Sequence, residues 1–346
     1  MTIALVTGAC GFVGRNLVKR LLSTTDYKLV LVDDLSVGTD PMTWLDPAYF
    51  ADLDASTKKE RLLYYPADAR DFFRLFDTKF KPEIEAAFEP FAHFSYAFHF
   101  AAIVGGRAKI DGDPMMVALD LAIDAEFFYW ITRHKPTKTM FPSSSAAYPI
   151  SLQKEDGAIA LRESDINFSD MGAPDMTYGW SKLTGEFLAQ IAAKHYGLSV
   201  ACVRPFSGYG EDQDLTYPVP SIAARAARRE DPFEVWGSGH QGRDFVHIDD
   251  CIDAILMATE QITDGTAINI GSGKLTSFRD LIGMFSTFAG YEPEIKALLD
   301  KPVGVHSRYC NIDYVADRIG WAPKISIEEG MRRVYNASLA RVQAQV

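Results

Sequence analysis

Apolar residues in this chain come in short runs, each followed by a stretch where they recur every three or four positions. Short runs bounded by turn formers read as buried strands, and the recurring stretches as amphipathic helices. Residues 2–6 are the first run, and Leu17, Val18, Leu21 and Leu22 mark one face of the helix that follows. Further runs at 28–32, 62–65, 98–102, 140–143 and 198–204 predict five more strands. Between them lie a strongly apolar helix near 115–134 and a helix beginning at Tyr178, with Leu183, Phe187, Leu188, Ile191 and Ala192 in helical period. Five or six strands alternating with helices predict an α/β fold, a doubly wound parallel sheet, with residues 267–270 as its last strand.

Two stretches break the alternation. Residues 37–60 carry Gly38, Asp40, Pro41, Asp46 and Pro47, all turn formers, and the charged run Lys58-Lys59-Glu60, which predicts an insertion with at most one short helix. From Pro205-Phe206-Ser207-Gly208-Tyr209-Gly210 onward the composition changes. A basic helix with Arg225, Arg228 and Arg229, a short strand at 233–236, and a strand from Gly242 running into a helix at Cys251 follow. Helices near 277–289 and 326–342 flank a loop with Arg308. This predicts a first domain over 1–205, completed by about 240–272, and a smaller C-terminal lobe built from 206–239 and 273–346. No internal repeat, low-complexity tract or long linker interrupts the chain.

Chemistry collects at the ends of the predicted strands. Gly8, Gly11 and Gly14 stand three apart between the first strand and the first helix. Such a turn lets backbone N–H groups approach a phosphate, and the helix dipole favours its charge. Asp33 closes the second strand, 19 residues after Gly14. An acid there accepts hydrogen bonds from adenosine ribose hydroxyls and repels a 2′-phosphate, which favours NAD over NADP. After the third strand, Asp68 could lie near an adenine amine; equally, Asp71 could cap a helix beginning at Phe72. His99, inside an apolar strand, reads as a packed histidine. Tyr178 and Lys182 stand one helical turn apart, downstream of Ser143-Ser144-Ser145.

Composition narrows the setting. Of 346 residues 47% are hydrophobic, enough for a large core, and the net charge of -11 argues against wrapping nucleic acid. Cys10, Cys202, Cys251 and Cys310 are too scattered for a disulfide or zinc framework and suit a reducing compartment. The first strand leaves no room for a secretory signal, no apolar run reaches about 20 residues, and no His or acid spacing implies a metal. A cytoplasmic protein, with no membrane or nucleic-acid partner, is expected.

In order and spacing, these features resemble the extended short-chain dehydrogenase/reductase family over nearly the whole chain. The residues that carry the likeness are the Gly8/Gly11/Gly14 turn, Asp33, Asp68, Ala101-Ala102, Ser143-Ser144, Tyr178/Lys182 and Arg204-Pro205. Arg243-Asp244, Val246-His247-Ile248-Asp249-Asp250 and Asn269-Ile270-Gly271-Ser272 complete it. The family has a Rossmann domain and acts on nucleotide sugars. The resemblance implies NAD, its pyrophosphate cradled by Gly8, Gly11 and Gly14 beside Phe12 and Val13, and its adenosine ribose held by Asp33. Asp34, Asp68, Ala69, Ala101, Ala102, Ser143 and Pro205 complete the cofactor site. Tyr178 is the implied acid/base, Lys182 binds the nicotinamide ribose and lowers the Tyr178 pKa, and Ser144 hydrogen-bonds the reacting hydroxyl. Arg243 and Arg308 clamp the sugar-nucleotide diphosphate, with Ser145 and Ser207 on the sugar side.

Several reactions share that start, and side chains beyond the catalytic trio separate them. The 4,6-dehydratases use an Asp-Glu pair just after the serine, where this chain has Ser145-Ala146; the glutamate of the decarboxylases is missing as well. GDP-mannose 3,5-epimerase and GDP-fucose synthase look similar around Ser143 to Pro149, and Phe233-Glu234-Val235-Trp236-Gly237 looks like the former. Both need a cysteine where Ala146 stands, and the loop after Tyr209 lacks the lysine of the 3,5-epimerase. A 4-epimerase is what remains, although many 4-epimerases have Gly at Pro149 and Asn at Ser207. Relatives also imply a homodimer formed through the helices near 115–134 and 179–195.

Overall fold

A computed structural model describes residues 1–50, 61–103, 105, 107–155 and 157–344, the side chains of 107–109 excepted. The run Lys58-Lys59-Glu60, and Val104 and Gly106 after the fourth strand, lie outside the described residues. The first part of the chain runs β1 (Ile3–Thr7), α1 (Phe12–Thr24), β2 (Lys28–Val32), β3 (Leu62–Tyr65), α2 (Ala69–Arg74), α3 (Lys81–Ala87) and β4 (Tyr96–His99). It continues through α4 (Arg107–Gly112), α5 (Pro114–Ala118), α6 (Asp120–His134), β5 (Lys138–Pro142), α7 (Met176–Tyr196) and β6 (Val200–Pro205). The rest is β7 (Ser207–Tyr209), α8 (Pro218–Ala227), β8 (Phe233–Trp236), β9 (Gly242–Arg243), β10 (Phe245–His247), α9 (Ile248–Gln261) and β11 (Asp264–Ile270). Then come β12 (Thr276–Ser277), α10 (Phe278–Ala289), β13 (Ile295–Leu298), β14 (Ser307–Arg308), α11 (Asp313–Ile319) and α12 (Ile327–Gln343).

Seven strands make one parallel sheet in the order β3-β2-β1-β4-β5-β6-β11. Chain order reverses between β1 and β4, and at such a point the carboxyl ends of the strands open a crevice for ligands. Every residue of β1 is buried, as an unbroken apolar strand in a sheet covered on both faces must be. Ala4 and Val6 face a cluster with Leu17, Leu21, Ile255 and Val315 from α1, α9 and α11. Ile3 and Leu5 face the other side, with Phe72, Phe76, Phe127 and Trp130. A third cluster joins Ile222, Phe233, Leu281, Phe285 and Val334 of α8, β8, α10 and α12.

The doubly wound sheet is as expected, and several boundaries differ. The expected last strand, β11, is the seventh strand described and pairs with β6, but it begins earlier, at Asp264. The fourth strand begins earlier and ends at His99, since Tyr96 and Ala97 already pair with β1 and the chain turns away after Phe100. The helix expected near 115–134 is two. Pro114 starts α5 under an Asp113 cap, and the Leu119 N–H bonds back to Met116 in a tighter turn before α6. The described part of the insertion, up to residue 50, already carries two single-turn helices, Pro41–Thr43 and Pro47–Tyr49, and not at most one. Each has proline in its first turn, and Asp40 or Asp46 accepts a backbone N–H two residues on. Asp68, not Asp71, caps α2, which therefore starts at Ala69 and not at Phe72. Likewise α9 begins at Ile248, ahead of Cys251, because the His247 ring accepts the Asp249 N–H.

Candidate active site

The glycine turn is built for close backbone approach. Gly8 has φ +65°, and a Cβ there would stand 2.4 Å from the Phe100 carbonyl carbon. A Cβ on Gly14 would fall 2.1 Å from the Gly8 carbonyl oxygen, so α1 packs directly on the turn. No side chain caps α1 at Gly11, which leaves its first N–H groups facing the crevice end. Cys10 in the turn is buried, and burial with Asp33 beside it pushes its thiol up to about 12, so it is unreactive at neutral pH.

Asp33 sits at the end of β2 with one oxygen accepting the Cys10 N–H (2.9 Å) and the other the Leu35 N–H (2.8 Å). The carboxylate thus ties its own loop to the glycine turn. Burial raises its carboxyl, and the Cys10 and Leu35 N–H bonds oppose that rise. Asp34 is exposed and accepts the Ser36 N–H. Asp68 accepts the Arg70 N–H and pairs with its guanidinium, which holds the carboxyl below its ordinary range. Ala67 N–H bonds the Asp33 carbonyl, which brings the Asp68–Ala69 corner next to Asp33. Ala101 N–H reaches Thr7 Oγ1, which keeps the start of the Ala101-Ala102 segment against β1.

Ser144 caps a single helical turn, Ser145–Ala147, through the Ala146 N–H, and its hydroxyl lies beside the Tyr178 hydroxyl and favours the phenolate. Tyr178 lies in the first turn of α7, one turn before Lys182, whose ammonium sits 5.9 Å from the Tyr178 ring centre. Gly179 allows this approach, because a Cβ there would meet the Ala146 carbonyl oxygen at 2.4 Å. Burial raises the Tyr178 hydroxyl, and Lys182 and Ser144 pull it back. Sequence reading missed what surrounds Lys182. Asp120 Oδ2 is 2.9 Å and Asp124 Oδ2 3.4 Å from its Nζ, and all three side chains are at most 2% exposed. The signal was Asp120 and Asp124, two acids four apart among the buried apolar residues of α6. Tyr217, just before α8, was missed too; burial and the nearby Tyr178 push its hydroxyl up to about 12.

Ser143 is engaged elsewhere than Ser144. Its hydroxyl bonds Glu186, which forms a fully buried two-pronged pair with Arg204 (2.7 Å on each prong). Asn269, another residue of the family pattern, accepts from the Tyr148 hydroxyl and donates to the Leu161 carbonyl. His99 is the packed histidine expected: wholly buried, 2.8 Å from Thr7 Oγ1 and stacked on Phe127 with centroids 4.0 Å apart.

Arg243 and Arg308, 65 positions apart in the sequence, are register partners on the neighbouring parallel strands β9 and β14. Arg308 donates to Gln153 Oε1 (2.5 Å) and Asp175 Oδ2 (2.8 Å), while Arg243 reaches the Gly242 and Val303 carbonyls. Asp175 precedes α7 without capping it, its carboxylate having gone to Arg308. Behind the arginines, buried Asp244 collects the N–H groups of Ser272, Gly273 and Cys310 and the Ser272 hydroxyl, which knots three segments together. Ser207 on β7 and Pro205 at the end of β6 lie beside this knot, Ser207 N–H bonding the Asp244 carbonyl. Among the described residues no cluster of His, Cys, Asp and Glu could hold a metal, and no helix is long and apolar enough to cross a membrane.

The sequence pattern of the NAD dependent epimerase/dehydratase family matches residues 4–271. The chain belongs to this family. A putative UDP-glucose 4-epimerase of Methanocaldococcus jannaschii is 27% identical to it over 96% of this chain and 97% of its own. GDP-mannose 3,5-epimerase of Arabidopsis thaliana is 28% identical over 69% of this chain and 64% of that enzyme. The UDP-glucose 4-epimerase of Thermotoga maritima, solved with UDP-glucose, shares the fold with a TM-score of 0.77 over 99% of this chain and all of that one, at 24% identity. The family's cofactor is NAD, and the turn fits its pyrophosphate. Open N–H groups at the start of α1 and a cradle that any side chain on Gly8 or Gly14 would fill are what a phosphate pair requires. The chain is therefore an enzyme of the nucleotide-sugar epimerase/dehydratase group.

Proposed function

We propose that the protein is an NAD-dependent 4-epimerase of a nucleoside-diphosphate hexose. The reading rests on one arrangement: Tyr178 and Lys182 one turn apart, Ser144 beside the Tyr178 hydroxyl, and no acid or thiol at Ser145-Ala146. NAD, when bound, takes up the hydride from C4 of the sugar and returns it. Gly8, Gly11, Phe12, Val13 and Gly14 hold its pyrophosphate. Asp33 takes the adenosine ribose, and Asp34, Asp68, Ala69, Ala101, Ala102, Ser143 and Pro205 complete the cofactor site. Tyr178 accepts the C4 hydroxyl proton as the hydroxyl becomes a ketone, while Ser144 hydrogen-bonds the same oxygen. Lys182 holds positive charge beside the phenolate and takes the nicotinamide ribose. Arg243 and Arg308 grip the diphosphate, whose paired oxygens suit two guanidinium forks. The 4-keto sugar swings about that fixed diphosphate, past Ser145 and Ser207, and Tyr178 returns the proton on the other face.

In this reading residues 1–205, with 240–272, hold the cofactor, and 206–239 with 273–346 hold the nucleotide sugar. Two copies pair through α6 and α7, where Leu121, Tyr129, Trp180 and Phe187 are exposed. Four buried, unpaired cysteines suit a cytoplasmic site.

A second reading, 3,5-epimerisation, is favoured by the likeness to GDP-mannose 3,5-epimerase. It needs a carbon acid/base, and buried Ala146 supplies none. Incubation with a panel of UDP- and GDP-sugars in D2O, followed by NMR, separates the two. A 4-epimerase returns its own hydride and leaves no carbon-bound deuterium. Deuterium at C3 or C5 means 3,5-epimerisation, and loss of water means dehydration.

A further inference from the structure

Lys182 is the one lysine of the reacting pair, and its ammonium is caged. Asp120 Oδ2 at 2.9 Å and Asp124 Oδ2 at 3.4 Å hold it from α6, one turn apart on the same face. Asp120 is itself fixed, its Oδ1 by the Ile103 N–H (3.1 Å) and its Oδ2 by the Ser181 hydroxyl (2.8 Å). His99 of β4 packs 3.3 Å from Asp124 Oδ1, out of line for a hydrogen bond, and the Phe141 ring closes the cage 5.4 Å from Nζ. We propose that Asp120 and Asp124 are positioning residues for Lys182: they fix where its ammonium sits and set how much of its charge reaches Tyr178.

The physical argument is a charge count. A lysine beside a phenol favours phenolate, but two carboxylates on one ammonium leave the cluster net negative when both are ionised. That net charge opposes the phenolate that Lys182 promotes. The groups involved are Asp120 and Asp124 from α6, His99 from β4, Tyr178 from α7, Cys202 from β6 and Tyr217 before α8. His99 stays neutral, its ring pushed down to about 3 by burial and then by Lys182, and it adds no balancing charge. Asp124, raised to about 6 by burial against the pull of Lys182, is ionised at neutral pH.

The inference rests on Tyr178 and Lys182 as the reacting pair, so its test reads the phenol and the ammonium directly. In NAD-loaded protein with 13Cζ-labelled tyrosine, the Tyr178 signal is assigned by its loss in Tyr178→Phe and titrated. Asp124→Asn, which keeps the shape of the side chain, is expected to lower the Tyr178 midpoint by about one pH unit, and Asp120→Asn to move it the same way. Ser181→Ala removes a hydrogen bond and no charge, and should change the melting temperature while leaving the midpoint in place. A midpoint unmoved in folded Asp124→Asn overturns the proposal. Should neither Asn variant fold, the wild type still decides. A caged Lys182 gives a slowly exchanging 15Nζ ammonium signal, assigned with Lys182→Met, and a fast-exchanging one overturns the cage. Full turnover in Tyr178→Phe would sink the proposed reaction but leave these readings as they stand.

Discussion

Single residues carry the sharpest commitments. Tyr178→Phe keeps the ring and its packing but removes the hydroxyl proposed to take the proton. Turnover should fall by about 10²–10⁴-fold while NAD stays bound, read by product formation and by the absorbance of retained cofactor. Gly8→Ala attacks the other end of the site. At φ +65°, with Phe100 backbone 2.4 Å from the new Cβ, it should cost roughly 1–3 kcal/mol of stability and lower NAD affinity. Denaturant titration with and without NAD separates the two losses. Both residues were legible in the sequence, since glycine spacing and a Tyr/Lys pair are local patterns. Asp120 and Asp124 were not. Inside an apolar helix two acids look like solvated decoration until α7 brings Lys182 against them.

At the scale of packed elements, β4 and α6 share a proton account. Folding drives the His99 ring down to about 3 and raises Asp124 to about 6. A depressed histidine loses stability as pH falls from 6.5 toward its folded value, whereas a raised carboxyl gains stability as pH falls below 6. Near pH 5 the folded pair keeps its one proton on Asp124 and the unfolded pair keeps one on His99, so their contributions nearly cancel. Asp124→Asn breaks the balance. Relative to wild type, the variant should lose about 1.3 kcal/mol more between pH 7 and pH 5, measured by urea unfolding at the two pH values. The order of strands followed from alternating apolar runs, which is a property of short segments. Where elements end did not: β4 stops at His99 and α5 parts from α6 at Leu119 because of hydrogen bonds to distant or neighbouring backbone, not because composition changes there. Several matching motif residues also prove to hold the fold, as Arg204 does with Glu186 and Asn269 with Tyr148.

For the whole molecule, the exposed aromatics on α6 and α7 set an expectation for assembly. Sedimentation at micromolar concentration should give a dimer, and Phe187→Glu with Tyr129→Glu should give a folded monomer that still binds NAD. The pairing of Arg243 with Arg308 came only from the resemblance and not from apolar pattern or spacing, because it depends on β9 and β14 meeting in a small sheet of their own. The hold of Asp175, 133 positions away, on Arg308 could not be foreseen. If Arg308 grips the diphosphate in the proposed 4-epimerisation, that hold bears on how fast the site empties. An arginine already gripped by a carboxylate and an amide has left bulk water before any nucleotide sugar arrives. Taking in a diphosphate is then an exchange of one anion for another, and the affinity is the difference between two strong pairings. Product leaves by the reverse exchange, with Asp175 ready to reclaim the guanidinium. Two epimers that differ at one carbon bind almost alike, and a site of this kind keeps neither of them long.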